Sequence, residues 1–227
     1  SKRHGATSAL AYRDMGYLPD AMINYLARLG WSHGDQEIFS IKELIEHFSF
    51  DSVNTSAAIF DADKLSWVNE QYIQSTPPEL LAQRLEPHLV TAGVLAKDHG
   101  LNMQEIAKVI PCLKGRAKTL KEMAEKSAFF FKEQVEFDEK AQSKFLTDEV
   151  KPLLEKVITG FSALDDFSSD KIESVFKKIV EEENLKLGKL AQPVRVALTG
   201  TTVSPGIYDV ILLLGKEKTI KRLRDVI

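Results

Sequence analysis

Again and again along this chain, a residue suited to capping a helix stands directly in front of an apolar stripe with helical spacing. Asp20, after Pro19, precedes Met22, Ile23, Leu26 and Leu29, closed by Gly30. Ser40 with Glu43 precedes Ile41, Leu44, Ile45 and Phe48, and Asn102 with Glu105 opens residues 103–110. In such pairs the short side chain accepts from a backbone N–H that the helix leaves orphaned, and the acid reaches back to the cap's own N–H. Thr76-Pro77-Pro78-Glu79 starts Leu80, Leu81 and Leu85 with proline in the first turn, where its missing N–H costs nothing. Thr119 with Glu122 opens the stretch to Phe129, Phe130 and Phe131. Thr147 leads into Leu153, Leu154, Val157 and Ile158, and Ser169 into Ile172, Val175, Phe176, Ile179 and Val180. Residues 194–198 are β-branched enough to suggest a strand, yet Leu187, Leu190, Ala191, Val194 and Leu198 keep helical spacing. Ser204-Pro205-Gly206 starts residues 207–214, Gly215 stops them, and a final basic helix holds Ile220, Leu223 and Val226. No alternating runs joined by hairpin turns occur, so the expected fold class is all-α.

Residues 74–78, with two prolines, and the turn-rich residues 160–170 are the expected joints between helical units. With 44% apolar and 28% charged residues over 227 positions, the composition is that of a soluble globular chain rather than a disordered one. The longest apolar run, residues 210–214, is too short for a bilayer, and the basic start has no apolar stretch behind it, so neither a membrane span nor a signal peptide is expected. A single cysteine, Cys112, precludes an intrachain disulfide and reads as a structural thiol in a reducing cytoplasm. The five histidines lack metal-ligand spacing, so no metal site is expected. Trp67 and most of the Phe129–Phe130–Phe131 run read as core.

The net charge of −3 argues against a nucleic-acid partner until its distribution is considered. Residues 51–107 and 132–183 are acidic, whereas 108–131 and 184–227 are basic. Phosphate is recognised by local patches, not totals. Lys108, Lys114, Arg116, Lys118 and Lys121 occur with no acid among them, and Gly115 lets backbone approach a phosphate closely. The N-terminal Ser1-Lys2-Arg3 places two cations and a hydroxyl beside His4 and Gly5. Residues 102–124 also read as helix, short basic turn, helix, so a helix-turn-helix-like DNA binder is the rival reading; its turn, residues 111–118, is long for that motif.

One family accounts for these landmarks together. Ser-Lys-Arg-His-Gly-Ala at the start, Tyr17-Leu18-Pro19-Asp20-Ala21 and Asn24 through Trp31 closely resemble the bacterial glutamyl-tRNA synthetases, which are class I enzymes. Ser56-Ala57-Ala58-Ile59-Phe60-Asp61 with Lys64-Leu65-Ser66-Trp67-Val68-Asn69 continues the likeness, as does Arg116-Ala117-Lys118-Thr119-Leu120. Leu190-Ala191-Gln192-Pro193-Val194-Arg195 and Ser204-Pro205-Gly206 complete it, in order and across nearly the whole chain. The resemblance implies a signature-loop end over residues 1–16, a helical stem-contact domain over 17–75, and a two-part all-helical anticodon-binding region over 76–160 and 161–227. It implies an enzyme that joins glutamate to tRNA(Glu) using ATP with Mg2+, with Lys2 as the catalytic cation on the departing pyrophosphate and Lys2 and Arg3 at the ATP. The nucleotide-binding domain is expected to lie outside this chain, which alone is then expected to be inactive and to hold no cofactor. The expected tRNA contacts are Lys108, Lys114, Arg116, Lys118, Lys121 and Arg195, the last either reaching the anticodon loop or pinning two helices. A monomer is expected, and tRNA(Gln) as a second substrate is left open.

Overall fold

In the computed structural model, which describes residues 8–54 and 59–227, every extended run of regular structure among the described residues is helical. Contacts gather the chain into two compact units, Ser1–Lys126 and Ser127–Ile227.

The first unit contains α1 (Ala9–Asp14), α2 (Pro19–Arg28), α3 (Ile41–His47), α4 (Ala62–Ser75), α5 (Pro78–Thr91) and α6 (Met103–Leu113), then a 3-10 turn at Lys114–Arg116 and most of α7 (Leu120–Phe131). The two capping boxes form as the spacing predicts. Ser40 Oγ accepts from Glu43 N while Glu43 takes the Ser40 N–H, and Asn102 and Glu105 do the same. The core is built from Leu65, Val68 and Ile73 of α4, Leu81, Leu85 and Leu89 of α5, and Ile106, Ile110 and Leu113 of α6. A smaller cluster of Trp31, Phe39 and Leu44 packs against Ala27, Ile41, Phe48 and Val53.

Two expectations about faces are corrected. In α2 the buried residues are Ala21, Asn24 and Tyr25, whereas Ile23 and Leu26 of the expected stripe are 49% and 56% exposed. The inward face carries its polar group fully satisfied: Asn24 donates to the Glu37 carbonyl at 2.9 Å and accepts from Phe39 N at 2.8 Å, so burying it leaves nothing unpaired. Trp67 is not core either. It lies at the surface under Lys64, whose Nζ sits 4.1 Å from the ring centroid, a cation–π contact that tolerates exposure.

Tyr72 of α4 donates its hydroxyl to the Phe39 carbonyl, and burial pushes its pKa up to about 12. A pKa raised above the unfolded value means that this stabilisation is complete below pH 10 and is lost as pH rises towards 12, because the unfolded chain releases the phenolic proton first. In the wild type, urea midpoints are expected to fall over that window; in Tyr72→Phe the decline should be shallower.

The second unit holds α8 (Glu139–Phe145), α9 (Lys151–Ser162), α10 (Ser169–Glu182), α11 (Leu187–Thr199) and α12 (Ile207–Arg224). Phe161, Phe176, Ile172, Val157, Val194 and Ile211 fill its core. The ambiguous residues 194–198 are helical because α11 is buried on several faces, Val194, Val196, Ala197 and Leu198 alike, so β-branched composition reflects burial rather than a strand. Gly215 breaks α12 with φ 78° and ψ 167°, dividing residues 207–214 from the basic end as the sequence implies.

Residue 75 is interior to the first unit, and residue 160 is inside α9, where the missing side chain of Gly160 lets Val175 of α10 approach; a Cβ there would stand 2.6 Å from Val175 Cγ1. The boundary between the units falls within α7, between Lys126 and Ser127.

Candidate nucleic-acid interface

The basic turn between α6 and α7 sorts its cations into two groups. Lys114 is half-buried and points inward: its Nζ donates to the carbonyls of Gln74 at 3.0 Å and Thr76, at the C-terminal end of α4. Those carbonyls have no helical partner, and a lysine there satisfies them and the negative end of the helix dipole. Burial holds the Lys114 pKa below its ordinary value. The Gln74–Pro78 stretch is therefore clamped rather than a free linker.

Lys108, Arg116, Lys118 and Lys121 form the second group. All four are exposed, and among the described residues their side chains make no hydrogen bond or ion pair. Arg116 closes the 3-10 turn, Lys118 follows the extended Ala117 in the bend before α7, and Lys121 is in the first turn of α7. The turn that carries them is braced through its backbone. Lys118 N donates to Glu122 Oε2 at 3.0 Å, Lys126 Nζ donates to the Arg116 carbonyl, and Lys126 Nζ stands 3.7 Å from Glu122 Oε2. The amides at the start of α7 are largely used internally, since Leu120 N donates to the Gly16 carbonyl at 2.9 Å and Glu122 N to Thr119 Oγ1 at 3.2 Å. The turn therefore presents exposed side-chain charge rather than free amides.

The other basic stretch behaves differently. Arg195 of α11 reaches Ser204 Oγ and the Pro205 carbonyl at 2.8 Å, so it holds the connection that leads into α12. Lys216 donates to the carbonyls of Ser162 at 2.9 Å, the last residue of α9, and Leu164 at 2.6 Å, just beyond it. Lys218 reaches the Phe130 carbonyl at 3.1 Å. Arg222 is 3% exposed and donates to the Leu198 carbonyl at 2.6 Å and the Lys132 carbonyl at 2.7 Å, with its pKa pushed down to about 10 by burial. Lys216, Lys218 and Arg222 serve as helix C-caps, a role the charge pattern did not reveal because their partners lie far away in sequence. Arg222→Met should leave two buried carbonyls unpaired and cost about 2–5 kcal/mol of stability. Its affinity for RNA should be unchanged while it is folded, as thermal melts and binding curves on the same sample would show.

Asn69 was not foreseen. It is fully buried, accepts from Leu18 N at 2.8 Å and donates to the Lys118 carbonyl at 2.6 Å. Its partners are 51 and 49 residues away, so no local pattern marks it. Lys2 and Arg3 lie outside the described residues. Among the described residues no three His, Cys, Asp or Glu side chains gather as a metal site, and no helix is long and apolar enough to cross a membrane.

Comparison with known proteins gives a consistent picture. The family profile described as the anticodon binding domain matches residues 80–227, and that of the catalytic domain of class I tRNA synthetases (E and Q) matches residues 1–67. The glutamate–tRNA ligase of Thermodesulfovibrio yellowstonii is 49% identical over all 227 residues, which correspond to 49% of that protein. That of Syntrophobacter fumaroxidans is 50% identical over the same span, 48% of its length. Among solved structures, a glutamate tRNA ligase from Elizabethkingia meningosepticum superposes with a TM-score of 0.82 at 34% identity, over 100% of this chain and 44% of that one. The chain spans about half the length of the curated relatives it matches. Taken with the helical fold and with a family profile covering residues 80–227, these matches show that the chain belongs to the glutamyl-tRNA synthetase family.

Proposed function

We propose that this chain is the tRNA-reading portion of a glutamate–tRNA ligase and that it grips tRNA(Glu) through the turn carrying Arg116, Lys118 and Lys121, with Lys108 alongside. The supporting observation is the sorting of charge: these four cations are exposed and uncommitted, three of them on or beside a braced turn, while Lys114, Arg195, Lys216 and Arg222 are engaged with backbone or hydroxyl partners. A cation already bonded to two carbonyls has little left to offer a phosphate; an exposed one beside it exchanges only water and counterions.

In this reading residues 17–75 serve the tRNA stem, and residues 76–160 and 161–227 the anticodon arm. Lys114 and Arg195 act by holding the shape of their surroundings rather than by touching RNA. The parent enzyme joins glutamate to tRNA with ATP and Mg2+ in the cytoplasm. Lys2 would stabilise the departing pyrophosphate, with Arg3 beside it; both are outside the described residues, so that chemistry rests on the family likeness alone. The chain acts as a monomer, and tRNA(Gln) is a second candidate substrate.

Filter binding with tRNA(Glu), bulk tRNA and duplex DNA tests the reading. Preference for tRNA(Glu), weakened steeply by salt, is the expected result. Equal affinity for all three would defeat it, and preference for duplex DNA would restore the helix-turn-helix alternative.

A further inference from the structure

The exposed cations of the basic turn can act together only if the backbone beneath them keeps one shape, and that backbone is fastened from below by a residue that carries no charge. Segment 118–120 has two attachments to segment 16–18. One is direct: Leu120 N donates to the Gly16 carbonyl at 2.9 Å. The other runs through Asn69 of α4, whose Oδ1 accepts from Leu18 N at 2.8 Å and whose Nδ2 donates to the Lys118 carbonyl at 2.6 Å.

The direct attachment requires a backbone approach that only glycine permits. Gly16 has φ +88°, and a Cβ on it would stand 2.4 Å from Lys121 N and 2.7 Å from Leu120 N. The amide of Asn69 is fully buried, and each end is matched to one partner, an acceptor to an N–H and a donor to a carbonyl. No other side chain of its size offers both ends in that arrangement: aspartate lacks the donor and leucine lacks both.

We propose that Asn69 is a positioning residue for tRNA recognition, setting the backbone at Lys118 so that Arg116, Lys118 and Lys121 meet phosphates as one group. The inference rests on the proposed role of the turn in RNA binding. Asn69 itself touches no RNA. Its removal frees the Lys118 carbonyl, lets the step between the 3-10 turn and α7 rotate, and disperses the three cations. Charge is conserved in the variant, so a loss of affinity would arise from geometry and not from weaker electrostatics.

Asn69→Ala in the full 227-residue chain separates this role from a merely structural one. The probe is an unmodified tRNA(Glu) transcript, titrated over a range of salt at a temperature where circular dichroism shows the variant folded. The expected results are affinity lower by about tenfold and a slope of log K against log salt shallower by about one, as when a phosphate contact is lost. In an Arg116→Ala, Lys118→Ala background, Asn69→Ala should cost much less, because only its effect through Lys121 remains. Unchanged affinity and slope in folded Asn69→Ala would overturn the proposal, as would a full additional loss in the double-variant background. If the Arg116→Ala, Lys118→Ala protein itself binds like wild type, the RNA reading of the turn fails first and this inference with it. Should Asn69→Ala not fold, Asn69→Ser, too short to span both partners, carries the same comparison and the same criteria.

Discussion

Gly200→Ala is expected to destabilise the second unit by about 2–5 kcal/mol, combining a left-handed backbone that alanine resists with an overlap that the packing cannot relieve. Gly200 ends α11 with φ 77°, and a Cβ there would stand 2.0 Å from the Glu136 carbonyl oxygen and 2.8 Å from Val135 Cγ1. The neighbour is backbone, itself fastened because Asp138 N donates to the Gly200 carbonyl at 2.9 Å. Relief would require moving the whole approach to α8. Gly188, near the start of α11, is the control: a Cβ there would meet no atom within 4 Å, and alanine should be neutral or slightly stabilising. Urea or thermal unfolding of the two variants beside wild type checks both statements.

Reversing the exposed cations with Arg116→Glu, Lys118→Glu and Lys121→Glu should weaken tRNA binding by about 100-fold or more at physiological salt, since three phosphate contacts become three repulsions. Stability should change by no more than about 0.5 kcal/mol per site, because these side chains are exposed and uncommitted. Arg222→Met is the mirror image, with stability lost and affinity kept. If the two variants showed the same behaviour, the division of cations into presented and capping groups would be wrong.

Most of the helical architecture was legible because caps and periodicity are local. The boxes at Ser40–Glu43 and Asn102–Glu105 need only residues three apart, and both form. Gly215 marked the break in α12 because a positive φ leaves glycine as the natural occupant. What local patterns concealed was every decision that depends on distant partners. Asn24 lies outside the expected apolar stripe, yet it is buried because the Glu37 carbonyl and Phe39 N–H receive both ends of its amide. Lys114 read as a phosphate ligand from its neighbours in sequence, yet its ammonium is drawn to the end of α4 about forty residues earlier. The basic end of the chain is likewise a single charge run in sequence, although Lys216 and Arg222 serve different helix ends. Charge runs disclose where cations are, and only the fold shows which of them are already in use.

The central claim is that the turn carrying Arg116, Lys118 and Lys121 is where this chain holds tRNA. Backbone hydrogen exchange of the 227-residue chain, with and without tRNA(Glu), addresses that directly. Slower exchange across residues 108–121, more pronounced than in the acidic stretch 132–183, is the predicted result. Unchanged exchange across 108–121 with protection appearing elsewhere, under conditions where the tRNA is bound, would contradict it.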